Sequence, residues 1–270
     1  MGQKMKQPPV YFTIGQVQHN PLLNLSAYIP GIQESLRKAG YPDFQQGVQV
    51  QFDIATALGT KDTEQGAPPV PQRMERYLFL NIERTRCMLL QTNSVSFQTT
   101  DYDTFEGFLS ELKKGLQVLS DAVGGLSYME RIGLRYLDAV VPKTDEKLSQ
   151  YLVAEVMGLP LRLPDEMYAY SFAESVMIAK GVGQVVSRTV VQNGPLGFPP
   201  DLRPDLMKLQ ERFRAVSGEH AIIDTDGSLS DRMPFDVRDV EVRITGLHQL
   251  IDRCFHATVT DYARVAWGAE

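Results

Sequence analysis

The sequence predicts an α+β protein: one curved, mostly antiparallel sheet of about eight strands with helices on one face. Three observations predict it. The order strand, helix, three strands, helix fits residues 9–123 and again 128–262. Within it, Val48, Val50, Phe52 and Ile54 alternate with Gln49, Gln51 and Asp53, the period of a strand with one buried and one wet face. Long apolar stripes at helical spacing close each half. The halves, 1–125 and 126–270, are read as duplicated β-α-β-β-β-α units packed as one globular unit about a pseudo-twofold axis. Their identity is negligible, so the duplication rests on order and length alone.

Residues 9–19 (PVYFTIGQVQH) are β-branched and aromatic, and Asn20-Pro21 ends them in a turn. Leu25, Tyr28, Ile29, Ile32 and Leu36 then follow helix spacing up to Gly40, with Pro30 limiting how early that helix is regular. A strand over 47–55 leads into 57–74, whose prolines and mixed charge without periodicity predict a surface loop. Residues 76–82 and 86–99 read as a hairpin joined near Arg84-Thr85-Arg86. Asp103 precedes a helix with Phe105, Phe108, Leu109, Leu112, Leu116 and Leu119 on one stripe, Glu106 in a capping box and Gly124-Gly125 as its stop.

In the second half, 128–141 is a strand and 145–157 a short helix with Leu148, Tyr151, Leu152 and Val156. Residues 166–179 and 183–193 form a hairpin over Lys180-Gly181-Val182-Gly183. A proline-rich excursion, 194–205, leads to a short helix at 205–216 and a strand at 219–225. The closing helix carries Ile244, Leu247, Ile251, Cys254, Phe255 and Thr258.

Composition narrows the function classes. Lys and Arg total 27 against 33 Asp and Glu, a net charge of −6 that opposes broad binding to phosphate backbones. The 2 cysteines, Cys87 and Cys254, lie far apart without metal-site spacing, which fits a reducing cytoplasm and reads as two small buried hydrophobes. No run approaches the roughly 18 apolar residues of a membrane span, and the amino terminus carries no targeting segment.

No catalytic or cofactor motif stands out. Asp224, Asp226 and Gly227 in DTDGSLSD resemble a calcium loop, but the glycine comes too early and no Glu closes it, so an Asp-Gly turn after a strand is the simpler reading. His248 and His256 are eight apart and do not share a helix face, which makes them packed residues rather than metal ligands. No GxSxG or thiol dyad is present, and KGVGQ lacks the helix start that a phosphate loop requires.

The polar parity of the sheet is more informative. It carries Gln49, Gln51, Asp53, Arg84, Arg86, Arg131, Arg135 and Arg188, with hardly any Lys. Such a face suits directional hydrogen bonding at an interface, although an open sheet face in any soluble protein is polar for solubility alone.

The opening PPVYFTI with His19-Asn20-Pro21-Leu22, the block CMLLQTNSVSFQTTDYDTFEGF, the segment RIGLRYLDAV and the closing GLHQLIDRCFHATVTDYARVAWG together resemble a sporadically distributed bacterial family of uncharacterised proteins of about this size. Asp138 stands where that family tends to have Asn, and Phe105 where it tends to have Trp. The family carries no established activity. Its scattered occurrence is like that of accessory genes on mobile or defence islands, which implies a role as partner of another protein. The element order is also similar to the saddle of the TATA-binding protein, a likeness of fold that carries no function.

The expectation is therefore a non-enzymatic module without cofactor or metal. It recognises a protein partner, or assembles with itself, through the open sheet face or an exposed strand edge. The alternative is a small-ligand or nucleotide sensor whose pocket lies between sheet and helices, with Tyr136, Tyr170 and Arg135 as contacts. Tight duplex DNA binding is not expected, because a DNA saddle masses basic residues on its concave face.

Overall fold

A computed structural model describes residues 5–52, 71–163, 169–202, 204 and 206–268, with backbone alone at 49–52 and 71–73. Among them are nine strands and eight helices. The strands are β1 (Val10–His19), β2 (Asp43–Phe52), β3 (Pro71–Leu80), β4 (Arg86–Gln91), β5 (Ser94–Thr99), β6 (Tyr128–Val140), β7 (Tyr170–Ala179), β8 (Gly183–Asn193) and β9 (Glu219–Pro234). They form one sheet in the order β2-β3-β4-β5-β1-β6-β9-β8-β7. Every neighbouring pair is antiparallel.

Helix α1 (Leu25–Lys38) buries Leu25, Ile29, Ile32 and Leu36, the predicted stripe. Helix α2 (Phe105–Val123) buries Phe108, Leu109, Leu112, Leu116 and Leu119, with Phe105 packed at the margin. Its N-cap is Thr104, not Asp103: the Thr104 hydroxyl accepts from the Gly107 N–H, and Glu106 supports the helix dipole from the first turn. Gly124 closes it in the left-handed region at φ 76°, as the Gly-Gly stop predicts. Helix α7 (Val237–Thr258) lies on the same face through Val240, Ile244, Leu247 and Ile251. Together α1, α2 and α7 cover sheet residues such as Val17, Phe79, Phe97, Ile132 and Leu134.

Several elements differ from the expectation for identifiable reasons. Residues 86–99 are two strands joined by a two-residue turn at Thr92-Asn93, so the first half has four strands after its helix rather than three. The predicted helix over 145–157 breaks into α3 (Leu148–Tyr151) and α4 (Ala154–Met157), followed by α5 (Leu159–Arg162), because Leu152 is extended and bridges Val259. Only Glu211–Arg214 of the 205–216 helix forms, as α6. Helix α8 (Asp261–Ala266) is the last element among the described residues. Asp224, Asp226 and Gly227 do not make a turn; they sit inside β9, opposite Leu137, Arg135 and Leu134 of β6. The loop expected over 57–74 lies outside the described residues as far as 70, as does Asp53, and residues 71–74 belong to β3.

The second face of the sheet departs most from the prediction. Residues 194–216 return across it as a strap that shields Tyr11, Phe12, Leu137, Ala139 and Ile222 under Leu196, Phe198, Leu202, Met207 and Phe213. A bulge between Val10 and Phe12 turns both aromatics of Tyr11-Phe12 toward this face. Phe198 meets the edge of Phe12 at 5.4 Å, and Tyr11 donates its hydroxyl to the Gly197 carbonyl at 2.8 Å. At the far end the Lys208 N–H donates to the Arg84 carbonyl at 2.8 Å, and the Thr100 hydroxyl donates to the Lys208 carbonyl at 2.6 Å. The backbone at 208 is therefore committed to the sheet's margin instead of to a helix.

Because Phe213 fixes the strap by burial, Phe213→Ala is expected to lower the unfolding free energy by about 3–5 kcal/mol. Leu23→Ala, at a side chain that is 93% exposed, is expected to change it by less than about 0.5 kcal/mol. Urea denaturation of both variants measures the contrast.

Candidate binding face

Strand registry places the strap-side residues of the central strands in rows across the sheet. Gln18, Arg131 and Ser230 form one row, and Gln16, Gly133 and Ser228 the next. Ile14, Arg135 and Asp226 form the third, and Phe12, Leu137 and Asp224 the fourth. Strand β5 continues the first two with Ser94 and Ser96, and β8 adds Gln184 beside Ser228. The fourth row lies under the strap, whose Asp201 reaches Arg135 in the third, whereas the first two make a polar floor.

Arg135 sits where these regions meet. Its Nε and Nη2 donate to the two Asp224 carboxylate oxygens at 2.7 and 2.8 Å, a bidentate pair with both side chains buried. Its Nη1 donates to Asp201 of the strap at 2.6 Å, holding that carboxyl below its usual range. Arg188 approaches Asp224 at 3.4 Å and donates to Glu174 of β7 at 2.7 Å. This chain of ion pairs ties strap, centre and edge together. It is structural machinery, which corrects the expectation that Arg135 stands ready for a partner.

Arg131, two residues earlier on the same face, is different. It makes no hydrogen bond or ion pair among the described residues. Its guanidinium lies against Gly133, with Nη1 3.0 Å from where a Cβ would stand, so a side chain at 133 would contest the space it occupies. Beside it Ser96, buried next to Gln16, has a hydroxyl with no partner. Burial raises the Asp226 carboxyl, which the charges of Arg135 and Arg131 oppose.

The other expected residues scatter. Arg84 occupies the β3–β4 turn at φ 59° and pairs with Asp43 at 2.8 Å. Arg86 is on the helix-covered face, not the wet one: it faces Asp101 at 3.6 Å and lines a cavity of about 170 Å³ with Phe97, Tyr102, Asp103, Phe108 and Glu111. Tyr136 also points under the helices, where its hydroxyl meets those of Tyr102 at 3.2 Å and His248 Nδ1 at 3.3 Å. His248 stacks on Phe105 at 3.9 Å. Tyr170 is exposed on the outer strand β7. Tyr136 therefore lies on the opposite face from Arg135, while Tyr170 shares the strap side but stands on β7, with β9 and β8 between it and β6. The side chains of Gln49 and Gln51 are outside the described residues.

Beside Tyr136, still under the helices, the Asp138 carboxyl is buried and accepts no hydrogen bond from a described residue; burial, with Asp224 adding to it, pushes it up to about 8. The hydroxyls of Thr13 and Thr225, which flank Tyr136 in register, are likewise unpartnered. Among the described residues no group of three or more His, Cys, Asp or Glu is placed to hold a metal ion, and no helix is long and apolar enough to cross a membrane. No family model matches the chain, and no curated protein matches it.

Arg135→Ala leaves the Asp224 carboxylate buried without its partner and is expected to cost about 3–5 kcal/mol, whereas Arg84→Ala, at a partly exposed pair, is expected to cost at most about 1 kcal/mol. Chemical denaturation distinguishes the two. For Asp138, folding raises the pKa, so between about pH 4 and pH 8 the folded chain holds a proton that the unfolded chain has released. Stability is therefore lost as pH rises through that window. Asp138→Asn keeps the shape without the titration. Its melting temperature is expected to match the parent near pH 4 and to exceed it increasingly up to about pH 8.

Proposed function

We propose that this chain is a non-enzymatic binding module that recognises a protein partner through the polar floor of its sheet, with Arg131 as anchor. The observation that carries this is a guanidinium set against Gly133, without a hydrogen bond or ion pair among the described residues, in register rows that carry Gln16, Gln18 and serines. Arginine is enriched at the centres of protein interfaces, and its fork takes a carboxylate through two parallel hydrogen bonds. The glutamines offer donors and acceptors to a partner's backbone at little cost in desolvation. The resemblance to a scattered accessory family supports the same partner role.

The duplicated-half reading belongs with this proposal. It is supported by β1 and β6 lying side by side at the sheet centre, with β5, β4, β3 and β2 stepping outward on one side and β9, β8 and β7 on the other. An axis between β1 and β6 runs beside the Arg131 floor, so both halves contribute to it. The order is similar to the saddle of the TATA-binding protein, but the strap-side floor carries, among the described residues, Arg131 with glutamines and serines within a chain of −6. Tight binding of duplex DNA is not part of the reading.

The alternative, a nucleotide sensor, finds little support in the cavity beside Arg86. At about 170 Å³ it falls below the ~300–1,000 Å³ usual for ligand pockets, and Asp101, Asp103 and Glu111 set three carboxylates against one guanidinium there.

Replacing Arg131 with Glu is expected to abolish recovery of the partner in tagged purification from the source cell, with a melting temperature within a few degrees of the parent. The same substitution at Arg135 unfolds the protein and is uninformative. Undiminished partner recovery by Arg131→Glu would sink the proposal, and so would recovery of nucleic acid alone after a moderate-salt wash.

A further inference from the structure

Among the described residues, strand β7 is outermost in the sheet and is hydrogen-bonded on one side only, to β8. Its register runs without a shift from Tyr170↔Gln192 to Ala179↔Gly183, so the free edge is straight over all ten residues. Natural edges are blunted by lysine, proline, bulges or inward-pointing charge. The segment YSFAESVMIA has none of the first three. Its one charge, Glu174, is already bound to Arg188 at 2.7 Å. Phe172, Val176 and Ile178 are 52%, 55% and 83% exposed. A long, flat, nearly uncharged edge of this kind is a template for another strand.

We propose that the occupant is a second copy of this chain, paired β7 to β7 in antiparallel fashion about a twofold axis at Ser175. This deepens the binding-module reading and rests on it only in taking the sheet as the contact surface. A twofold normal to the sheet keeps the strap-side faces of both copies on one side, so residues of like parity must face each other. Centring on Ser175 sets Phe172 against the partner's Ile178, Glu174 against the partner's Val176, and Ala173 against the partner's Met177. Phe172, Val176 and Ile178 on the strap side then each have an apolar or ion-paired neighbour. Centring one residue earlier, on Glu174, brings two like charges face to face, which disfavours that register. The strand thus contains both halves of its own complement, as an isologous contact requires. The result is a continuous sheet of twice nine strands with two Arg131 floors on the same side.

Analytical ultracentrifugation of the full chain tests this, with two sets of variants. The parent is expected to sediment as a dimer, and Val176→Lys/Ile178→Lys as a monomer of half the mass with an unchanged circular-dichroism spectrum. Ser175→Cys, which the axis places opposite itself, is expected to give a covalent dimer on mild oxidation, while Ser171→Cys, which faces the partner's Ala179, is not. The native Cys87 and Cys254 are buried and do not compete. A parent that is monomeric, or that forms open-ended higher assemblies, overturns the proposal, as does equal cross-linking at 171 and 175. Arg131→Glu is expected to stay dimeric. A monomeric parent that still recovers its partner through Arg131 removes the dimer and leaves the binding module standing, and a dimer that recovers no partner does the reverse.

Discussion

Strand β6 lies at the centre of the sheet and is buried on both faces along its second half, and most of what is unusual in the molecule follows from that. From Leu134 to Val140 all seven side chains are buried, so both parities need a cover. Helices supply it on one side. On the other, the strap brings aromatic residues down on Leu137 and Ala139, and its Asp201 reaches the guanidinium of Arg135. A buried arginine costs heavily unless its hydrogen bonds are made, and here Asp224 and Asp201 occupy the fork on two sides. The ion pairs therefore specify where the strap lies, while burial of Phe198 and Phe213 supplies its adhesion.

The helix-covered side carries a polar seam that the packing tolerates rather than demands. Thr13, Tyr136 and Thr225 stand in one row, and Asp138 lies one step further on β6, between the larger apolar cluster and the smaller one built on Tyr151 and Trp267. A carboxyl in that place survives by remaining neutral, which is chemically close to an asparagine. Tyr136 meanwhile meets Tyr102 and His248, so it belongs to the packing of α2 against α7 and not to any surface.

How far the fold was legible depends on how local its causes are. The stripes of α1 and α2, the Gly-Gly stop and the hairpin over 180–183 are set by nearest-neighbour chemistry and are read directly from the residues. The turn at Thr92-Asn93 was not read, because Ser94 and Gln98 look like the wet parity of a continuing strand, and the chain reversal conserves that alternation. The strap was missed for a longer-range reason: its cover is needed only because Tyr11-Phe12 share a face across a bulge and because β6 loses alternation after Leu134. That loss, in LRYLDAVV, was the available signal for burial on both faces. Of the expected arginines, parity placed Arg131, Arg135 and Arg188 on one face correctly, but parity alone does not tell a committed guanidinium from a free one. Asp224 and Asp201 decide that, one on β9 and the other on the strap.

A single uncommitted arginine has different physics from a basic patch. With a net charge of −6 the chain's long-range field repels anions, so it gathers no polyanion by steering. At contact distance the field matters less than geometry, and the planar fork of a guanidinium loses little side-chain entropy for each hydrogen bond it makes to a carboxylate. In the proposed role, the net charge disfavours nucleic acid at a distance and hydrogen-bond direction selects among proteins at close range, from a surface on the central pair β1 and β6. Rigidity there is what the strap, the helices and the buried ion pairs jointly supply.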